Sequence, residues 1–290
     1  MIEANTLPRV PARRASSGLT RKLMRQPVGL IAAAVLLLLY AAVFLGPYVY
    51  TASPTLTDAL HTTADPSAQH PLGTDELGRD VLARLLSGGR ITLMISIVSM
   101  LVALSVGSVV GALAGFYRGL IETVLMRLVD TFMAIPSFFL ILAAISVLGN
   151  SPPVVVIVVG LGFWPQVARI VHAEVSKFRN YEFVDAGRAL GASNNRLIWR
   201  HVFPQALPAA AVLTTLGIAW SILTETGLSY LGLGIQPPLA SWGNMLQNAQ
   251  TYFWTKPVLA LYPGLLIAVA VLCFNLLGNL LRDLIDPRSR

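Results

Sequence analysis

Charge is what this sequence has least of. Of 290 residues, only 12% are Asp, Glu, Lys or Arg, about half the share found in an average soluble domain. Set beside a hydrophobic share of 55%, that scarcity excludes an ordinary soluble domain and makes lipid the solvent for much of the chain. Cysteine occurs once, as Cys273 inside an apolar run. This excludes an internal disulfide and a cysteine metal cluster, and leaves a small buried hydrophobe. Lysine is confined to Lys22, Lys177 and Lys256, so arginine supplies nearly all the positive charge. His61, His70, His172 and His201 fall in loops or at the ends of apolar runs without ligand spacing. With no nucleophile and base pair in those runs, an intramembrane enzyme is not indicated. A fixed-period repeat and a matching pair of interrupted helices are also missing. Their absence weighs against a self-contained secondary transporter built from inverted repeats.

What is there is a set of long apolar runs. A spanning helix needs about 20 mostly apolar residues, and six stretches qualify: 28–50, 91–116, 121–148, 154–171, 207–223 and 258–281. The first follows a polar leader too long for a cleaved signal peptide and reads as an uncleaved span. The net charge of +7 comes from basic residues that collect between the runs, so it signals membrane orientation and no nucleic-acid partner. Arg9, Arg13, Arg14, Arg21, Lys22 and Arg25 precede the first run; Lys177, Arg179, Arg188, Arg196 and Arg200 separate the fourth and fifth; Arg282, Arg288 and Arg290 end the chain. Six spans put all three groups on one side, which the positive-inside rule makes the cytoplasm. The expected organisation is a cytoplasmic tail (1–27), a first span (28–50), an external loop with a short helix (51–90), a five-helix core (91–281) and a tail (282–290). Both termini are then cytoplasmic. The core contains the cytoplasmic segment 173–206.

That segment carries the main pattern. Phe183, Val184, Ala186 and Leu190 recur at helical spacing and predict a short amphipathic helix. Gly191 ends it as a residue free to take a left-handed cap. A second short helix is expected from Asn194 as N-cap to about His201, broken by Pro204 before the fifth span. Two such helices form a knob suited to a groove in another protein. Elsewhere, Thr74 reads as an N-cap with Asp75 and Glu76 in the first turn. Gly73 and Gly78 have the spacing of a phosphate-binding loop, but Arg79 and Asp80 stand where Lys and Ser or Thr are required. Gly107, Gly111 and Gly115 bare one face of the second span for close helix approach. Arg127 and Asp130 can pair on one face of the third span, as a structural ion pair or as candidate pathway or gate residues. Pro136 and Pro165 are placed to kink spans three and four. Glu225, at the outer end of span five, is a candidate for the pathway or gate, or for a buried hydrogen bond. The glycine- and aromatic-rich loop 226–256 is expected to fold as a cap over the outer mouth.

Asp185-Ala186-Gly187 with Gly191, and Pro204 thirteen residues later, resembles the cytoplasmic coupling motif of ABC importer permeases. Gly187 departs from the usual alanine, at a helix cost of about 1 kcal/mol. Further segments are similar to one subfamily, the second permease of dipeptide, oligopeptide and nickel importers. They are 70–81 (opening His70-Pro71-Leu72-Gly73), 130–136 (Asp130 to Pro136), 225–238 (Glu225-Thr226-Gly227-Leu228), 241–246 (Ser241-Trp242-Gly243) and 275–287 (Asn275-Leu276-Leu277-Gly278). The resemblance implies an all-α, six-span type I ABC importer permease fold. It also implies a homologous second permease, two ATPase subunits, an external substrate-binding protein and the lipid bilayer as partners. Glu182, Asp185, Ala186, Gly187, Leu190, Gly191, Ala192 and Pro204 would serve the ATPase contact. No cofactor is expected on this chain, since ATP and Mg would be used by the ATPases. The cargo would be di- or oligopeptides, with nickel chelates and glutathione as alternatives.

Overall fold

The computed structural model describes residues 26–285. The basic residues expected in the two tails before Gln26 and after Ile285 lie outside that range. Helices dominate, and among the described residues the only β pairing is an isolated bridge between Thr74 and Asp80.

Helix α1 (Pro27–Val49) crosses once and opens into the loop 50–80. Helix α2 (Val81–Phe116) has 36 residues, about 54 Å at 1.5 Å per residue, so it overreaches a 30 Å hydrocarbon core. The second span thus begins ten residues before the apolar run at 91. Its first turns bear Arg84 and Arg90, with Val81 and Leu85 packed in a buried apolar cluster beside them. The helix expected at Thr74 does not form, because Thr74 Oγ1 is engaged by the Ala64 N–H and the His61 carbonyl. Asp80 caps α2 instead, accepting from Ala83 N–H at 2.7 Å.

Helices α3 (Leu120–Ala134) and α4 (Ser137–Leu148) are the expected third span, bent by 86° at the break between them. Ile135, which precedes Pro136, is extended, as the proline ring demands of its neighbour. Helix α5 (Pro152–Phe178) runs unbroken through Pro165. Residues 191–230 hold the next correction. Ser193, not Asn194, is the N-cap, and the helical stretch Asn194–Tyr230 is continuous. Its segment Leu197–Val202 is wound as a π-helix, with Phe203 N–H reaching Ile198 O. The wider turn lets Pro204 sit in the first turn of α7 (Phe203–Tyr230), so the proline does not break the span. Helix α8 (Trp242–Ala249) and helix α9 (Val258–Ile285) complete the chain.

The packing fixes the number of crossings. Gly160 lies against Ser99 and Val102, Gly107 against Trp164 and Val167, and Gly115 against His172 and Val175. Position therefore rises together along α2 and α5, so the two helices are parallel. The bent α3–α4 pair must return from one end of the bundle to the other, which makes it one broken span and the total six. Glycine is required along this seam: a Cβ on Gly107 would lie 2.6 Å from Val167 Cβ and 2.7 Å from the Trp164 carbonyl. The glycine face expected from sequence is thus a helix-packing face. Helix α7 crosses back, with Phe163 and Trp220 rings 5.1 Å apart. Helix α9 closes the bundle, Gly278 against Leu216 and Leu280 against Gly29. Gln26 Nε2 donates to Asp283 Oδ2 at 2.9 Å, so the described chain starts and ends on one side. Residues 179–203 lie at that same end. Cys273 is buried, as expected.

Candidate functional site

Two polar regions occupy opposite ends of the bundle. At the end shared with the termini, Arg179 follows α5 and turns its guanidinium back onto α2. Its Nη1 donates to the carbonyls of Gly115 (2.8 Å) and Phe116 (3.2 Å), which lack a helical partner at that terminus. Helix α6 (Glu182–Ala189) starts directly beyond. Only Val184 turns fully inward, to zero exposure among the core side chains. Glu182 and Asp185 occupy the first turn and Arg188 the last, each favoured by the helix dipole. Arg188 Nη1 also donates to Asp185 Oδ1 at 3.1 Å.

The end of α6 is a double-bonded left-handed cap. Gly191 has φ +79°, its N–H reaches Arg188 O at 2.9 Å, and Ala192 N–H reaches Gly187 O at 3.0 Å. Gly187 lies on the inner side, where an added Cβ would come within 2.8 Å of Leu197 Cδ2, so the departure from alanine matches tight contact with the next helical segment. Ala186 and Ala189 face outward with Phe183, and Leu190 is 88% exposed. Pro204 is exposed on the neighbouring turn. The result is a short helix held by one buried valine and two backbone bonds, with an unpartnered apolar tip.

At the opposite end the carboxylates are engaged inside the chain, while Arg84 Nη2, Arg90 Nε and Thr226 Oγ1 are buried without a partner. Asp75 Oδ1 accepts from the N–H groups of Leu77 and Arg79, both at 2.9 Å. Asp75 Oδ2 meets Arg79 Nε at 2.7 Å and Arg84 Nε at 3.1 Å. All three residues are buried. Arg79 also reaches Glu76 at 2.5 Å. Asp80 accepts from the Tyr50 hydroxyl at 2.6 Å and lies 2.8 Å from His70 Nδ1. Burial, together with the bond and charge of Asp80, pushes the Tyr50 hydroxyl up to about 12.

Glu225 lies inside α7 and has no exposed surface. Thr92 Oγ1 donates to its Oε2 at 2.9 Å and Ser229 Oγ to its Oε1 at 2.7 Å. Those hydroxyls accept in turn from the backbone N–H of Trp242 (3.2 Å) and Ile235 (3.0 Å). Trp242 Nε1 donates to Leu85 O at 3.0 Å, and Asn244 Nδ2 to Ile235 O and Leu239 O. Of the two expectations for Glu225, the structure has the buried hydrogen bonds, made to hydroxyls. The carboxylate ties α2 and α7 to the loop 231–241.

The Arg127–Asp130 pair does not form. Asp130 bonds Arg169 of α5 at 2.6 Å, with both side chains half exposed. Sequence reasoning missed Arg169, although a charge inside the fourth apolar run was a visible signal. It also missed Thr92, Ser229 and Arg179, whose hydroxyl and guanidinium roles leave no spacing pattern.

Six crossings with a broken third, a polar closure at one end and an exposed capped helix at the other define a multi-pass membrane permease. Residues 107–290 match the family model of the binding-protein-dependent transport system inner membrane component. The chain belongs to that family, as a transport permease of an ABC importer in the inner membrane. It is 36% identical over 272 residues to the glutathione transport system permease protein GsiD of Pectobacterium atrosepticum, covering 93% of this chain and 90% of that one. It is 38% identical over 234 residues to the nickel transport system permease protein NikC of Escherichia coli, covering 81% and 84%. A third relative, a Brucella suis protein named a putative peptide transport system permease, is 35% identical over 270 residues. Among solved structures, an inward facing conformation of the MetNI methionine ABC transporter superposes with a TM-score of 0.57 at 18% identity, covering 70% of this chain and 97% of that one. This likeness establishes the shared fold.

Proposed function

We propose that this chain forms half of a translocation pathway with a homologous second permease, and that α6 is its mechanical contact with an ATPase subunit. The observation that carries this reading is the construction of α6: a capped, outward helix whose Leu190 is 88% exposed although residues around it supply few other contacts. An apolar tip of this kind is costly in water and is suited to a groove in a partner. Two ATPases would bind and hydrolyse ATP with Mg, none of it on this chain, and their closure would push α6. The push would pass through the π-turn Leu197–Val202 into α7 without a break in the helix. Asp185, Arg188 and Glu182 would set the polar rim of the contact. An external binding protein would deliver cargo to the opposite end. The end bearing α6 and both termini would face the cytoplasm, in keeping with its arginines.

The cargo we propose is di- or oligopeptides, with nickel chelates and glutathione as alternatives, since relatives bearing all three names align over most of the chain. Leu190→Asp should abolish stimulation of ATPase activity in the reconstituted transporter and weaken pull-down of the ATPases, with unchanged membrane insertion. Wild-type stimulation in that variant would refute the docking role. For cargo, a deletion strain should lose growth on peptides as sole amino-acid source; retained peptide growth with lost nickel accumulation would favour the chelate.

A further inference from the structure

At the end that carries α6, a cavity of about 430 Å³ opens between the ends of α2 and α5 and the start of α6. Arg118, Arg179, Arg188, Asn180, Asp185 and Asn194 line it. Three guanidinium groups thus face one carboxylate, and that carboxylate, Asp185, already accepts from Arg188. Glu122, which also acts on Arg179, is engaged with His172 at 2.9 Å. Arg179 forms the base of the cavity and is 9% exposed. Only its Nη1 is used by the protein, on the carbonyls of Gly115 and Phe116, which leaves Nε and Nη2 for a ligand. Arg118 is held in place by Asn180 Oδ1 at 3.0 Å. Arg188 lies over the Phe116 ring, 5.8 Å from its centroid. Three like charges brought together in a half-enclosed space repel one another, and burial with Arg118 and Arg188 nearby lowers Arg179. An anion with several acceptor oxygens would relieve that repulsion.

We propose that this cavity binds the phosphate of an anionic phospholipid headgroup. Guanidinium forks match phosphate oxygens two at a time, and basic pockets between helices at a membrane face are suited to acidic headgroups. The surroundings select a lipid over a free anion. Phe116 and Tyr117 line the cavity beside the arginines, the kind of aromatic side chain found at membrane interfaces. Leu120, Ile121 and Val124 follow Arg118 on α3 with large exposed apolar surfaces, ready to receive acyl chains. The headgroup would bridge α2 and α5 to α6 through Arg179 and Arg188, bracing the short helix against the bundle.

The test uses the purified transporter in mild detergent, supplemented in separate arms with phosphatidylglycerol, phosphatidylcholine or inorganic phosphate. Retained lipid is counted by native mass spectrometry and stability by thermal unfolding. Phosphatidylglycerol should be retained and should raise the melting temperature, whereas the other two should do neither. Arg118 and Arg188 are exposed, so Arg118→Gln and Arg188→Gln should fold normally. Each should weaken phosphatidylglycerol retention by about tenfold, the loss expected for one charge-assisted bond. Arg200→Gln, exposed outside the cavity, should keep wild-type retention. Two results would each overturn the proposal: equal phosphatidylglycerol retention in the Arg118→Gln/Arg188→Gln double variant, and equal stabilisation by inorganic phosphate.

Discussion

The two ends of this bundle solve the same problem in opposite ways. Both carry loops with buried arginine, yet the end built on loop 50–80, outer in the orientation proposed above, engages Arg79 and Arg84 with carboxylates, and the α6 end, inner in that orientation, engages Arg179 only with backbone carbonyls. Outside, Asp75 engages Arg79 and Arg84, Asp80 engages Tyr50 and His70, and Glu225 gathers two hydroxyls from α2 and α7. Inside, α6 contributes one buried valine and a glycine cap, and it presents Leu190 to water. The outer end therefore engages its carboxylates within the chain, leaving Arg84 Nη2 and Arg90 Nε as buried donors without a partner, while the α6 end leaves an apolar tip exposed.

The strongest way to break that contrast is to remove its outer keystone. Asp75→Ala leaves Arg84 buried without a carboxylate and Arg79 with Glu76 alone, and breaking a buried pair of this sort costs about 3–5 kcal/mol. Thermal unfolding in detergent should show a large drop. A wild-type melting temperature would mean that the outer network is decoration. Glu225→Leu should follow at about 2–3 kcal/mol, because the Thr92 and Ser229 hydroxyls lose their acceptor in a buried site. Combining it with Thr92→Val should recover part of the loss, and strictly additive costs in that double-mutant cycle would deny the direct bond.

Much of this architecture was legible from residue type alone. Six apolar runs gave six crossings, and Gly191 announced its left-handed conformation because a helix that ends with an exposed glycine has few other ways to end. Angles and long-range partners were not legible. The periodicity of 121–148 is the same for a straight helix and for one bent by 86°, so Pro136 marked a break without its size. Thr92 and Glu225 are 133 residues apart and Asp130 and Arg169 are 39 apart; only the packed bundle brings them together. Asp130 passed over Arg127 on its own helix for Arg169 on α5, a choice no local spacing encodes. Pro204 misled for a related reason, since a π-turn accommodates a proline that an α-helix interior would not.

A smaller effect sharpens the contrast from the inner side. Gly191→Val forces a β-branched residue into φ +79°, with nothing within 4 Å of the new Cβ. The penalty is thus conformational, about 1–2 kcal/mol, and it falls on the cap of α6 alone. Hydrogen exchange should rise at Gly191 and Ala192 while global melting stays near wild type, and Gly191→Asn, which tolerates the left-handed region, should restore protection. A global destabilisation equal to that of Asp75→Ala would show that the two ends are not built differently.

The last effect shows as a pH dependence only in the alkaline range. Tyr50 follows α1 in the outer loop, and its hydroxyl donates to Asp80 and to the Gln69 carbonyl. Burial, then the hydrogen bond and charge of Asp80, raise it from the ordinary 10 to about 12. A hydroxyl whose folded value lies above its unfolded value favours the folded state only while it keeps its proton. Its contribution is therefore complete below pH 10 and disappears as pH climbs through about 12. The Tyr50→Phe variant should lack this alkaline component while retaining the rest of the stability profile, and tyrosinate absorbance should show one fewer late-titrating group. An identical alkaline slope in wild type and Tyr50→Phe would remove the tyrosine from the outer network and leave His70 and the α2 cap as the only groups that Asp80 serves there.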